Sequence, residues 1–561
     1  MARYCYTPLK TAHSVRIITL QPGIRRERLT CTLDEVVLDD KPYYEAISYV
    51  WGDPSNPTSI VCDNRSLCVT QNLAAALFQF RQPDEPRRLW ADAICINQDD
   101  IAERGHQVRI MGRVYAESSC VLVWLGQEDH YTQLISKLLS TILYDKNWSY
   151  PEILAIRHFF RLPWFHRAWT FQESVLARET KFHIGTYRFP RAVITERKIS
   201  KARSLVEYRG GDDFYHNTDQ AEAMMISSYT NTYDIGDLLS LRRGAQCKDQ
   251  RDLIYSLLGV ASTTAGIEPD YSRSIQDVFT ITTRQIIASR QSLSVLREVD
   301  TSELDASLPS WVPDWRKRFR GNTFPKSKSE GCWNVGAGLA QLAPFHREIP
   351  NQPTHLGVRG VCVDEIEEQV DGKSGDSLVS FVALFDGQKF DRYTIEPIEL
   401  AFLRTMSLDY VLPDERWPSR RSEWEHQFKV DDFYELVFPP WHQQVCSRFE
   451  AHVRMATCEG NLFRSKDRLM GLAPGRSRPG DIICIIAGID TPVLLRPSGR
   501  EYLFIGHCYV YGLMAGRRAL VHMRREKLRS KYLPPEANDD EDMSWLWDAP
   551  SPHEIQEFIL K

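Results

Sequence analysis

Hydrophobic and polar positions alternate in short blocks from the start of the chain, and the blocks change period as they go. Val15-Arg16-Ile17-Ile18-Thr19-Leu20 reads as a strand, Pro22-Gly23 as a turn, and Leu29 to Leu38 as a second strand. Two such strands cannot bury a face alone, so residues 1–42 are expected to pack on the domain that begins at residue 43. Tyr44 to Trp51 is an apolar, β-prone run that stops at Gly52-Asp53-Pro54. Ser59 to Cys62 and Ser66 to Val69 form an expected hairpin about Asp63-Asn64. Leu73, Ala76, Leu77 and Phe80 recur at helical spacing, as do Val108, Met111, Val114 and Tyr115 within Ile101 to Glu117. Between these helices Leu89-Trp90-Ala91 is a short strand ending at Asp92, and Cys120 to Leu125 is a buried strand closed by Gly126. Helices are expected over Thr132 to Leu143, Pro151 to Phe160 and Arg167 to Ala177, with a strand at Thr180 to Ile184.

Strand and helix thus alternate across residues 43–200, which predicts an α/β sandwich on a mostly parallel sheet. Working groups in such sheets sit beyond the carboxyl ends of the strands. That rule gathers the Ser48 to Asp53 turn, Asp92 and the Gly126 loop at one edge. Residues 201–325 read as mainly helical, with Leu253 to Gly259 a helix stopped by its glycine and Pro309 to Trp315 irregular and aromatic. Residues 318–354 read as a loop. Residues 355–522 form an α+β region whose segments Gly480–Gly488, Pro492–Arg496 and Tyr502–Val510 suggest an antiparallel meander. Residues 523–561 carry a basic block, then an acidic one, and are expected to be a charged, partly disordered tail.

Composition narrows the function. With 69 Lys+Arg against 74 Asp+Glu there is no basic excess to neutralise phosphates, so nucleic acid is not expected as a partner. Thirteen cysteines without a C-x-x-C pair are neither a disulfide framework nor a zinc site, and fit reduced thiols in a cytoplasmic protein. No metal or cofactor is expected. No run of 18 apolar residues occurs, so no membrane span is expected. Gly372-Lys373-Ser374 would need a glycine at position 367 to complete a phosphate-binding loop, and Glu367 stands there.

Four segments carry a resemblance: Tyr44 to Asp53 (YEAISYVWGD), Leu89 to Gln98 (LWADAICINQ), Val121 to Gly126 (VLVWLG) and Pro163 to Glu173 (PWFHRAWTFQE). In this order they resemble the heterokaryon incompatibility (HET) domain of filamentous fungi, over roughly residues 43–200. Glu103-Arg104, Gln107-Val108, Met111 and Tyr115 also suit that pattern. The resemblance implies a role in fungal nonself recognition that ends in growth arrest or cell death. It also implies self-assembly or contact with another incompatibility protein. HET domains are similar to Toll/interleukin-1 receptor (TIR) domains, flavodoxin-like sandwiches, some of which cleave NAD with one glutamate four positions after a tryptophan. Trp169 and Glu173 have that spacing.

That similarity implies Glu173 as a catalytic carboxylate, NAD as substrate, and a substrate site made of Ser48, Trp51, Gly52, Asp92 and Trp169. Phe165, Trp169, Gln172, Glu173 and Leu176 would share one helical stripe, placing Glu173 on or beside an apolar face. A carboxylate about 4 Å from the positive charge that develops on a ribosyl group is worth about 4 kcal/mol at an effective dielectric near 20. The same stripe equally suits a structural ion pair with Arg109, Arg113 or Arg167. Asp92 has a backbone-capping reading beside a ribose contact, and Trp51 a core-sealing one beside stacking on a base. Two functions therefore stand side by side: an NAD-cleaving enzyme, and an interaction module that transmits the signal by contact.

Overall fold

The computed structural model describes residues 1–24, 27–140, 148–194, 220–221, 223–224, 232–299, 307–317, 346–371, 380–381, 383–385, 401, 405, 460–514 and 555–561. The chain divides into two compact units, Met1–Val278 and Phe279–Lys561.

In the first unit the strands are β1 (Ser14–Leu20), β2 (Thr30–Val37), β3 (Glu45–Tyr49), β4 (Thr58–Cys62), β5 (Arg65–Val69), β6 (Arg87–Trp90), β7 (Val121–Gly126), β8 (Thr180–Ile184) and β9 (Tyr187–Pro190). They form one sheet in the order β5-β4-β2-β1-β6-β3-β7-β8-β9. The N-terminal strands do more than pack on the domain. β1 is inserted between β2 and β6, and all but Thr19 of its seven residues are buried. Pairings β6–β3, β3–β7, β7–β8 and β2–β4 are parallel and the rest antiparallel. The sheet is therefore mixed, with a parallel centre. Antiparallel pairs arise where β1–β2, β4–β5 and β8–β9 are joined by connections too short for a parallel crossover. The β4–β5 hairpin turns on Asp63 and Asn64, both at positive φ (47° and 60°), the conformation a tight hairpin demands and these two residue types tolerate.

The helices are α1 (Gln71–Phe80), α2 (Asp92–Cys95), α3 (Ile101–Glu117), α4 (Thr132–Ser140), α5 (Tyr150–Phe160), α6 (Pro163–His166), α7 (Ala168–Val175), α8 (Ile235–Leu241) and α9 (Asp252–Tyr255). Asp100 caps α3, accepting from the amides of Ala102 (2.9 Å) and Glu103 (3.0 Å). Strand pleating sends successive side chains to opposite faces. Ser48 on β3 reaches α7, whereas Trp124, the β7 neighbour of Tyr49, hydrogen-bonds Asn72 on α1 at 2.9 Å. Helices accordingly cover both faces of the parallel centre.

Two expectations change. The helix expected over Arg167–Ala177 is preceded by a break: Arg167 is extended (φ −70°, ψ 135°), so α6 and α7 are separate and Phe165 does not share a helical stripe with Glu173. All eight residues of α7 are buried, so this helix has no solvent face. The helix expected at Leu253–Gly259 is only the short α9 followed by turns.

In the second unit the strands are β10 (His346–Glu348), β11 (Leu356–Asp371), β12 (Gly460–Ser465), β13 (Met470–Pro474), β14 (Ile482–Ile486), β15 (Val493–Ser498), β16 (Glu501–His507), β17 (Tyr509–Val510) and β18 (Gln556–Leu560). The expected meander is present as β14, β15 and β16, paired antiparallel in sequence. β11 pairs with both β14 and β18, and β18 touches β16, so β11, β14, β15, β16 and β18 close a ring. Ile483, Ile485, Leu494, Ile505 and Val363 belong to its core. β10 stands where a loop was expected, and β18 belongs to the expected tail. The rest of that tail, residues 523–554, lies outside the described residues, as do 201–219 and 318–345.

Candidate functional site

Two of the anticipated site residues, Ser48 and Glu173, come together where the parallel strands end. Ser48, the penultimate residue of β3, donates its hydroxyl to Glu173 Oε2 at 2.5 Å. Its oxygen accepts the indole N–H of Trp164 at 2.8 Å. The result is a directed chain from Trp164 through Ser48 to Glu173, all three side chains buried. Tyr115 on α3 donates to the Ile47 carbonyl at 3.3 Å and lies close to the Glu173 carboxyl. Glu173 is only 2% exposed, and burial raises its carboxyl from 4.5 to about 7, against the pull of nearby Arg167 and the Ser48 and Tyr115 hydroxyls.

A second group sits nearer the surface. Asp92 begins α2 just beyond β6. Its Oδ2 accepts the Trp51 indole N–H at 2.7 Å and lies 3.6 Å from Arg167 Nη2. Its Oδ1 accepts the Ala93 amide at 2.8 Å, the local backbone contact that was one of the two readings of Asp92. The Arg167 guanidinium also donates to the Tyr49 carbonyl and stands 5.8 Å from the centre of the Trp51 ring. Burial works against its charge, but Asp92 and Glu173 together hold its pKa above the ordinary value. Gly52, exposed at φ +77°, turns the chain away from β3, where an added Cβ would meet Asn72 at 3.3 Å.

Asp92 is itself largely buried, 9% exposed, and Glu173, deeper still, lies within reach of the Arg167 charge. Trp169 shares α7 with Glu173 and lies near Asp252, whose carboxyl burial pushes upward and which accepts from Tyr271 at 2.6 Å. Of the arginines considered for Glu173, Arg167 is the neighbour, whereas Arg113 pairs with Asp39 (2.9 Å) and Glu117 (2.9 Å). A cleft of about 250 Å³ in this unit is lined by Gln172, and Glu173 is not among its walls. The residues that helical spacing did not reveal are Trp164, on a separate short helix, and Asp252, far along the chain. The repeated Trp-x-x-x-x-Trp of Trp164 and Trp169 was the available signal for the first.

Chemically, the outer group holds a largely buried carboxylate, a cation and an indole together. The inner group holds a buried carboxyl whose pKa burial raises to about 7. Among the described residues no cluster of three or more His, Cys, Asp or Glu could hold a metal ion. Nor, among them, is any helix long and apolar enough to cross a membrane.

Comparison with known proteins adds three findings. Residues 44–173 match the family model "Heterokaryon incompatibility protein (HET)" and residues 441–529 match "Het-6 beta-barrel domain". The chain is similar to "Heterokaryon incompatibility protein 6, OR allele" of Neurospora crassa, 24% identical over 668 residues covering 90% of this chain and 94% of the relative. No solved structure matches.

Proposed function

We propose, from the premise that the chain is a fungal heterokaryon incompatibility (HET) domain-containing protein, that it acts in nonself recognition as a cytoplasmic interaction module whose activation ends in growth arrest or cell death. The similarity to an incompatibility protein along nearly the whole of both chains supports the biological role. Free Cys31 and Cys62, register neighbours across β2 and β4, support a reducing compartment. One observation carries the module reading: Glu173 is 2% exposed and tied to Ser48. In this reading the inner group fastens β3 to α7, and signalling runs through surface contacts.

A second reading is favoured by the titration of Glu173 near pH 7 and its place beyond the parallel strands. Here the domain is TIR-like and cleaves NAD. Glu173 stabilises the positive ribosyl group, Asp92 holds ribose hydroxyls, Trp51 stacks on a base, and Ser48 and Gly52 let the loop approach phosphate. Arg167 must first leave Asp92. Expression of the full chain and of Glu173→Gln in fungal cells, with growth and released nicotinamide followed together, separates the two. Equal arrest by both without nicotinamide release is the expected result. Arrest and release lost together in a stably folded Glu173→Gln would establish the enzyme.

A further inference from the structure

The 250 Å³ cleft of the first unit lies between α3 and the turns after α9, with Gln172 of α7 in its wall. Its floor is closed by an unusual approach of backbone to side chain. Gly112 and Gly259 face each other across Gln172, and a Cβ on Gly259 would meet the Gln172 amide oxygen at 2.6 Å. With its amide turned to satisfy both neighbours, Gln172 donates to the Ser256 carbonyl (3.2 Å) and accepts from the Gly112 amide (3.1 Å). The floor therefore makes no further polar demand. Val108, Leu258, Ile267 and Pro269 supply apolar walls.

Two charges, Arg109 and Glu268, line the same cleft, both exposed. Among the described residues neither makes an ion pair or a hydrogen bond, whereas nearby Arg113 is doubly paired and Arg104 stacks on Tyr271 at 5.4 Å. A recess of mixed character, with aliphatic side chains in its walls and one free cation and one free anion among the described residues, is complementary to a polypeptide that carries both charges around an apolar side chain. The volume is below the roughly 300–1,000 Å³ of cofactor and drug-sized sites, which argues for a single anchoring side chain and against a dinucleotide.

We propose that this cleft is the anchor site for a short segment of a partner protein, which seats an aliphatic side chain between Val108 and Ile267, an acidic residue on Arg109 and a basic residue on Glu268. The inference deepens the interaction-module reading and rests on it for its biological meaning, though not for its binding chemistry.

The test uses the full chain and blocked pentapeptides with a central leucine, carrying aspartate and lysine at the two ends in either order. A third peptide has alanine at the centre. Binding is followed by fluorescence anisotropy of labelled peptides. One charge order should bind at least tenfold more tightly than the other, and the alanine peptide should lose about tenfold. The double variant Arg109→Glu/Glu268→Arg should invert the preferred order, which a merely unfolded protein cannot do. Val108→Trp, filling the recess, should abolish binding of all three while leaving the thermal transition in place. Absence of binding, indifference to the central residue, or an order preference that survives the charge exchange would each overturn the proposal. The cell-arrest assay reads the parent interpretation separately: peptide binding in a chain that arrests no cells would remove the incompatibility role and leave the site.

Discussion

Glu173 shows how depth changes what a residue is. Burial costs an ionised carboxylate far more than it costs the acid, and one cation at Arg167 offsets only part of that. The folded carboxyl sits at about 7 against an ordinary 4.5, so the folded chain binds this proton more tightly than the unfolded one. Linkage then requires the group's stabilising share to be complete below about pH 4.5, to fall as pH rises toward 7, and to be gone above it. The size is on the order of 3 kcal/mol. Glutamine keeps the oxygen that accepts from Ser48 and cannot ionise. Urea unfolding of wild type and Glu173→Gln at pH 5 and pH 8 should therefore give a stability difference that shifts by about 3 kcal/mol in favour of the variant at pH 8. Parallel pH dependence in the two proteins would show that the carboxyl is solvated.

At the scale of elements, the break at Arg167 is what brings the two groups together. An uninterrupted helix would carry residue 167 along its own axis, whereas the extended residue swings its guanidinium to Asp92 and the Tyr49 carbonyl. The break is pinned from outside the 44–173 match. The Gln246 amide donates to the His166 carbonyl (2.6 Å) and the Ala168 amide to the Gln246 carbonyl (2.9 Å), one on each side of Arg167. Arg242, whose pKa burial lowers to about 9, donates to the carbonyls of Phe165 (3.4 Å) and Arg167 (3.0 Å) and faces the Phe171 ring at 5.1 Å. Gln246 has an exposed side chain, so its backbone is what matters. Gln246→Pro deletes the donor and should cost about 3 kcal/mol, while Gln246→Ala should cost less than about 0.5 kcal/mol. Chemical denaturation of the pair measures the contrast, and similar losses in both would deny the bridge its role.

Across the whole molecule, the second unit depends on its most distant pairing. β18 lies against β11 over Leu356–Gly360 and buries Phe558 and Leu560, although some 200 residues separate the two strands. Without β18 the ring loses a member and the edges of β11 and β16 are left open. Deleting residues 555–561 should abolish cooperative melting of this unit and expose the 356–371 and 501–507 segments to protease, as mapped by mass spectrometry. Protection of both segments in the shortened chain would mean that the ring holds without its last strand.

Much of the first unit was legible because its signals are local. Alternation located β1, β2 and β8 to within a residue or two, Asp63-Asn64 announced its turn, and Ile101–Glu117 is the helix the spacing described. The four motifs that carry the HET resemblance also bring Ser48, Trp51 and Asp92 to the carboxyl edge of the parallel strands. Period and propensity say nothing about pairing partners 100 residues apart, so the antiparallel flanks of the sheet and the closing of the ring were not readable. Nor could spacing show that Trp164 reaches Ser48, or that an arginine inside an apolar run would break the helix. The amino-acid order alone decided what most segments of the first unit would become and that Ser48, Trp51 and Asp92 would gather at the edge. How deeply Glu173 is buried was left to long-range packing, because burial is a property of everything stacked above a residue and not of its neighbours in the chain.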